Sequence, residues 1–180
     1  PFFLYLSHKA VHDNFTPADR HKDMYKDAPI TKPEPVEDMT GRPLWVQNQR
    51  NSYIGSRFPY HSYTDLAEIR RKYRSALAAV DESLDRIRTV LREEGLAENT
   101  IIFFMGDNGF MFGEHGLIDK RNAYEESMRV PLIVGGDSEL PKAAVVEDMI
   151  VNIDIAPTIL DIAGVTSAAI TSDMDGMSFY

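Results

Sequence analysis

The sequence predicts an α/β fold with a largely parallel sheet flanked by helices. Short apolar runs typical of buried strands, a long amphipathic segment between them and a second helical pattern near the end lead to this prediction. A length of 180 residues is typical of one domain. We therefore expect strands and helices to alternate around a single core.

The predicted strands are continuous apolar runs, as expected where helices cover both faces of a sheet. They comprise residues 2–6, 100–105, 130–134 and, shorter and more polar, 145–151. The first run opens the chain without an initiator Met, so we expect these residues to be an incomplete fragment of a longer protein.

The clearest predicted helix begins after Thr64 and Asp65, either of which can cap it, with Glu68 completing a capping box. Apolar side chains then recur at intervals of three and four as far as Leu91, and Gly95 is a natural end. We expect the charged side chains between them to form a solvated face.

A second helix is predicted near the end of the chain, with Asp154 as its cap, Pro157 in its first turn and Gly164 after its end. Residues 13–63, in contrast, lack periodicity and contain six of the ten prolines. We interpret residues 13–63 as a Pro-rich insert or lid, the alternative being an ordinary surface loop.

The composition excludes several classes of function. The chain has 19 basic and 28 acidic residues and a formal charge of −9, so binding to nucleic acid or to an anionic membrane is not expected. No apolar run reaches the roughly 18 residues that a membrane span needs. Because Cys is absent, a disulfide, a zinc–cysteine site and a cysteine nucleophile are excluded within these residues.

Polar side chains follow two of the predicted strands. Lys9 and His12 follow the first strand, and Asp107, Asn108, His115 and Lys120 follow the second. If these strands are parallel, both groups lie at the edge of the sheet where α/β proteins bind their ligands.

Asp107 and Asn108 offer adjacent hard oxygen ligands, which suit Ca²⁺ or Mg²⁺, although an Asp-Asn-Gly turn is the alternative. The pair supplies only two or three of the about six to eight oxygens that Ca²⁺ needs. Lys120 is a candidate for binding a sulfate or phosphate group, or else a surface lysine. His12 is a candidate general acid or anion contact, or else a loop residue.

Several stretches of the chain resemble sulfatases of the alkaline-phosphatase-like superfamily. They are PFFLYLSHKAVH at 1–12, GDNG at 106–109, GEHG at 113–116, DKR at 119–121, YEES at 124–127, RVPL at 129–132 and NIDIAPTIL at 152–160. The resemblance implies that residues 1–180 are the C-terminal part of a sulfatase-like catalytic domain.

The resemblance implies a Ca²⁺-dependent hydrolase of sulfate esters, with Ca²⁺ preferred to Mg²⁺ and a formylglycine as nucleophile. It assigns metal binding to Asp107 and Asn108, catalysis to His12 and Lys120, and substrate binding to His115 and Lys9. The implied substrate is a sulfated glycan or small molecule, and the implied location is periplasmic, extracellular or lysosomal. The nucleophile and the remaining calcium ligands are expected in an N-terminal region absent from these residues.

Two other functions remain open from the sequence. One is hydrolysis of phosphate or phosphonate esters, although such relatives often have Asp-His where this chain has Asp107-Asn108. The other is a non-catalytic module that binds a metal or a glycan.

Overall fold

The computed structural model describes residues 1–31, 33, 38–56, 65–136, 140–141, 143–165 and 172–180. Thr64 and parts of the predicted insert, including residues 57–63, lie outside the described residues. The chain forms two compact units, Pro1–Glu139 and Leu140–Tyr180. All six site residues predicted from the sequence belong to the first unit.

The described residues contain four α-helices and four strands. The helices are α1 (Leu44–Gln49), α2 (Leu66–Glu93), α3 (Glu125–Met128) and α4 (Ile155–Ile162). The strands are β1 (Ile102–Met105), β2 (Met111–Phe112), β3 (Ile118–Asp119) and β4 (Leu132–Gly135).

Helix α2 forms where the sequence predicts it. The Asp65 side chain caps it by accepting a hydrogen bond from the Ala67 amide at 2.9 Å. Glu68 forms an ion pair with Lys72 at 2.8 Å, a pairing typical of residues four apart in a helix. Two residues after the helix ends, Gly95 adopts a left-handed conformation, with φ of 67°.

Strands β1 and β4 form where expected and pair antiparallel, with Ile102 opposite Gly135 and Met105 opposite Leu132. Strands β2 and β3 also pair antiparallel. The predicted parallel order is therefore not seen in these two pairs. A parallel connection needs a crossover, usually a helix. Residues 106–131 instead contain the β2–β3 hairpin, a single 3₁₀ turn within its loop and the four-residue α3.

Two of the predicted strands are wrong. Residues 2–6 and 145–151 form no strand, and the side chains of residues 2–6 are between 51% and 82% exposed. Apolar composition favours burial, but a strand also needs a partner for its backbone N–H and C=O groups. Neither segment pairs with a strand among the described residues.

The core of the first unit is built on both sides of the β2–β3 hairpin. One cluster contains Phe15, Ile69, Phe112 and Ile118, and the other contains Met39, Val46, Met111 and Leu117. Neighbouring hairpin residues join different clusters because successive side chains of a strand point to opposite faces. The hairpin is therefore held by helix α2 and Phe15 on one face, and by Met39 and Val46 of the insert on the other.

The described part of the insert is hydrogen-bonded to the same hairpin. Ile118 donates its amide to the carbonyl of Ile54 at 2.8 Å, and Ser56 donates to the carbonyl of Gly116 at 3.1 Å. These bonds extend the hairpin by one short segment of the insert. Whether the insert acts as a lid stays a prediction.

Part of the charged face of α2 also holds the insert, contrary to the expectation that it is solvated. Arg70 donates to the carbonyl of Thr31 at 2.5 Å, and Arg71 donates to the carbonyl of Ala28 at 3.1 Å. These guanidinium groups satisfy backbone carbonyls in a segment without a helix or strand.

In the second unit, α4 forms as predicted, with Pro157 in its first turn. Asp154 precedes the helix, but its carboxylate accepts the amides of Val151 at 2.9 Å and Met177 at 2.8 Å instead of capping α4. The predicted side-chain cap is therefore wrong. The carboxylate is instead occupied by these two amides, which hold the pKa of Asp154 below its ordinary value. None of the described helices is long and apolar enough to cross a membrane.

Candidate active site

The loop after β1 carries Asp107 and Asn108 and packs closely against α3. Gly109 donates its amide to the carbonyl of Ser127 at 2.8 Å. A Cβ at Gly109 would lie 2.0 Å from the carbonyl oxygen of Glu126, so only glycine fits here without displacing the backbone. This close approach fixes the loop against the start of α3.

The structure brings Lys120 and Asn108 together. Lys120 Nζ donates a hydrogen bond to Asn108 Oδ1 at 3.0 Å, and both side chains are partly buried. The Asn108 Nδ2 group donates to the carbonyl of Gly109 at 2.7 Å, which orients the amide so that its oxygen faces the ammonium. One cationic group and one amide oxygen, a candidate metal ligand, therefore meet just after the end of β1.

Asp107 and Asn108 fit part of a calcium shell. Asp107 is exposed and its Oδ1 accepts the Asn108 amide at 2.9 Å. An amide oxygen has two lone pairs, so the bond from Lys120 leaves Asn108 Oδ1 able to bind a cation. No group of three or more His, Asp or Glu side chains suited to a metal occurs in the described part of the chain. The donor set is chemically right for Ca²⁺, but too small to complete its coordination.

His115 lies in the loop between β2 and β3, and its ring contacts two side chains. Its ring stacks on Tyr124 with centroids 3.8 Å apart and planes 10° apart, and its Nε2 lies 3.0 Å from Glu126 Oε2. The guanidinium of Arg42 donates to the Tyr124 hydroxyl at 3.2 Å. The imidazole is thus held half-buried by Glu126 of α3 and by Tyr124 in the preceding turn, and Arg42 of the insert bonds to Tyr124 in turn.

Lys9 and His12 lie in an exposed turn closed by a 3.0 Å bond from the His12 amide to the Lys9 carbonyl. His12 Nδ1 lies 3.1 Å from the carbonyl oxygen of Asp13. In the described part of the chain, neither side chain bonds to Asn108 or Lys120. The structure brings together only some of the predicted site residues.

Sequence reasoning missed the roles of Arg42, Tyr124 and Glu126. Tyr124 and Glu126 contact the His115 ring, Glu126 across 11 residues, and Arg42 bonds to Tyr124 across 82 residues. Separations of this kind leave no periodicity in the sequence. In the sequence, only the aromatic and acidic side chains of the YEES segment at 124–127 indicate that these residues could contact a histidine.

The model of the sulfatase family matches residues 1–165. The chain belongs to the sulfatase family. The matched range includes all six site residues predicted from the sequence.

The chain is also similar to individual sulfatases. The chain is 34% identical over 167 residues to the N-acetylglucosamine-6-O-sulfatase of Bacteroides thetaiotaomicron, covering 83% of this chain and 29% of that protein. It is 32% identical over 182 residues to the N-acetylglucosamine-6-sulfatase of Bos taurus, covering 99% of this chain and 31% of that protein. This chain therefore spans less than a third of the length of these two relatives.

A solved structure supports the same fold. BT4656 in complex with its substrate D-glucosamine-2-N,6-O-disulfate superposes with a TM-score of 0.72 and 26% identity, covering 94% of this chain and 45% of that chain. The predicted α/β, alkaline-phosphatase-like fold class is confirmed by this likeness. The antiparallel strand pairs are thus a local feature of a sulfatase fold.

Proposed function

We propose that the full-length protein containing this chain hydrolyses sulfate esters of carbohydrates, with the 6-O-sulfate of N-acetylglucosamine as substrate. The observation that supports this proposal most is the 3.0 Å bond between Lys120 Nζ and Asn108 Oδ1. It joins a cationic group to a candidate metal ligand, and a sulfate group needs both kinds of partner. The substrate class follows the relatives' names, which include N-acetylglucosamine-6-O-sulfatase.

In this proposal, Asp107 and Asn108 hold Ca²⁺ together with ligands outside these residues. When bound, the ion would neutralise the sulfate and polarise its oxygens. The nucleophile, a formylglycine by family resemblance, would also come from outside these residues. The present chain supplies the cationic and hydrogen-bonding groups around the sulfate.

Lys120 would donate to a sulfate oxygen and to the ester oxygen that leaves. A unit charge about 4 Å from an anionic oxygen gains about 4 kcal/mol at an effective dielectric near 20. His12 would donate a proton to the leaving oxygen as the S–O bond breaks, so that the sugar departs as an alcohol. Overall, the ester and water would give the alcohol, sulfate and a proton.

His115 and Lys9 would contact the sugar instead of the sulfate. The stacking on Tyr124 and the bond to Glu126 support this role for His115, since they hold its ring in one orientation. A ring held in advance loses little conformational freedom when substrate binds.

The test is sulfate release from N-acetylglucosamine 6-sulfate by the full-length protein, compared with phosphate release from N-acetylglucosamine 6-phosphate. We expect turnover of the sulfate ester, and about a 10²- to 10³-fold loss of kcat in Lys120→Ala, the size of effect seen when one charge-stabilising donor is removed. Lys22→Ala, which removes an exposed lysine, is the matched control. Release of phosphate alone would instead support a phosphate ester hydrolase, and release of neither would support a binding module.

A further inference from the structure

Asp119 is the last residue of β3 and immediately precedes Lys120. Its carboxylate is almost fully buried, with 4% of the side chain exposed, although the residue belongs to a two-residue strand. In the hairpin register it faces Met111, which is fully buried. A carboxylate in such surroundings is costly unless its oxygens are bonded.

The two oxygens of Asp119 face the two residues that follow it, and of the two only Oδ1 accepts a hydrogen bond within the described residues. Oδ1 accepts the backbone amide of Lys120 at 2.6 Å, and Oδ2 forms an ion pair with the guanidinium of Arg121. The Arg121 guanidinium also lies 6.0 Å from the ring centroid of Tyr53, in the insert. The carboxylate therefore ties the end of β3 to the segment that bears Lys120.

The backbone at Asp119 has a φ of 93°, in the left-handed region that favours glycine. A non-glycine residue persists there only where its surroundings compensate for the strain. Here the compensation comes from the side chain itself, through its bonds to Lys120 and Arg121. Glycine would meet the backbone requirement with less strain, so the aspartate indicates a need for the carboxylate.

This turn is where Lys120 leaves the hairpin to reach Asn108. The Lys120 amide is held by Asp119 Oδ1, while its ammonium reaches Asn108 Oδ1, so the residue is fixed at both ends. A long lysine side chain loses considerable conformational freedom when it is held in one place. Fixing its backbone in advance reduces the freedom that must be lost during the reaction.

We propose that Asp119 is a positioning residue that sets Lys120 for catalysis by holding its backbone amide. This inference rests on the proposed sulfatase function. The alternative is a purely structural role, in which Asp119 only stabilises the hairpin through Arg121. The two roles differ in whether the loss of kcat on replacing Asp119 depends on the presence of Lys120.

The test uses four variants of the full-length protein: Asp119→Gly, Asp119→Asn, Lys120→Ala and the double variant Asp119→Gly/Lys120→Ala. Asp119→Gly suits the backbone but removes the acceptor, whereas Asp119→Asn keeps one side-chain oxygen for the Lys120 amide. Asp85→Asn, on the exposed face of α2, controls for loss of one charge. kcat and KM for N-acetylglucosamine 6-sulfate are measured beside each variant's melting temperature.

We expect Asp119→Gly to lower kcat at least tenfold with less than a threefold change in KM, because Lys120 acts mainly in the transition state. Asp119→Asn should restore most of that loss. In the Lys120→Ala background, Asp119→Gly should cause no further loss, because its effect passes through the missing ammonium.

Two results would overturn the proposal for Asp119: wild-type kcat in Asp119→Gly, or the same fold-loss with and without Lys120. If Asp119→Gly does not fold, Asp119→Ala, which also removes the acceptor of the Lys120 amide, is compared with and without Lys120 in the same way. Wild-type protein that releases no sulfate would overturn the proposed function itself, and the positioning role with it. The two failures are therefore distinguishable.

Discussion

The ring of Phe15 packs edge-on against the ring of Phe110, with centroids 5.5 Å apart. Phe15 follows His12 by three residues, whereas Phe110 directly precedes β2. The contact therefore ties the segment that carries His12 to the hairpin that leads to Lys120. It is one structural link between the parts of the chain that carry these two predicted catalytic residues.

Replacing Phe15 with alanine should weaken this link. Phe15 is buried among Tyr73, Phe110 and Phe112, so Phe15→Ala should lower the free energy of unfolding by about 3–5 kcal/mol. Denaturant unfolding of the full-length protein measures this loss. Leu44→Ala removes a side chain that is 73% exposed and should change stability by less than about 0.5 kcal/mol. Equal effects of the two substitutions would contradict the core position of Phe15.

A charge cluster around Glu82 predicts a specific pH dependence of stability. Arg20 Nε donates to Glu82 Oε2 at 2.8 Å, and His21 Nε2 lies 2.9 Å from Glu82 Oε1. The hydrogen bond from Arg20 is the main cause that lowers the pKa of Glu82 from 4.5 to about 2. Because the pKa is lower in the folded protein, the interaction stabilises the fold above pH 4.5, and this stabilisation is lost as the pH falls towards 2.

We therefore expect Glu82→Gln to melt at a lower temperature than the wild type at pH 7. The difference should shrink below pH 4.5 and vanish near pH 2. Glu125→Gln is the control, since Glu125 lies 3.9 Å from Arg129 and both side chains are mostly exposed. A Glu82→Gln deficit that stays constant across this pH range would show that the ion pair does not stabilise the fold.

Local patterns predicted much of this structure because their causes are local. The cap by Asp65 and the end at Gly95 depend on neighbouring residues, and both are found where expected. Asp107 and Asn108 are adjacent in sequence, so the sequence already shows them as a pair. Each of these features is fixed within a few residues of backbone.

The remaining features depend on partners far along the chain. The apolar run at residues 2–6 has the composition of a buried strand, but these residues are exposed in the structure. The sequence pattern does not show whether a neighbouring strand is present to pair with them. Arg42 reaches Tyr124 across 82 residues, and Arg70 bonds to Thr31 across 39. Such contacts form only in the folded chain. The sequence alone therefore predicts that these charged side chains are solvated.

Metal binding provides a further prediction. Because Asp107 contributes a carboxylate to the candidate site, Asp107→Asn in the full-length protein should weaken Ca²⁺ binding at least tenfold, equivalent to about 1.4 kcal/mol. Calorimetric titration of chelator-treated protein with Ca²⁺ measures this change. Asp85→Asn removes an equal charge from the exposed face of α2 and should leave the affinity unchanged. If both variants bind Ca²⁺ as the wild type does, Asp107 is not a ligand.

The close approach at Gly109 gives the last prediction. A Cβ there would lie 2.0 Å from the Glu126 carbonyl oxygen, so Gly109→Ala must push the loop away from α3. We expect a loss of about 1–3 kcal/mol in the free energy of unfolding, as for other overpacked sites. The displaced loop carries Asn108, so its 3.0 Å bond with Lys120 should lengthen and kcat should fall.

Gly135 is the matched control for Gly109. It ends β4, and a Cβ at Gly135 would meet nothing within 4 Å. Gly135→Ala should therefore keep both stability and kcat close to wild type, since the same methyl group enters open space. Denaturant unfolding and sulfate release, measured on both variants, separate the steric effect from the general cost of replacing glycine. If Gly109→Ala behaves like Gly135→Ala, contact with α3 does not hold the Asp107–Asn108 loop in place.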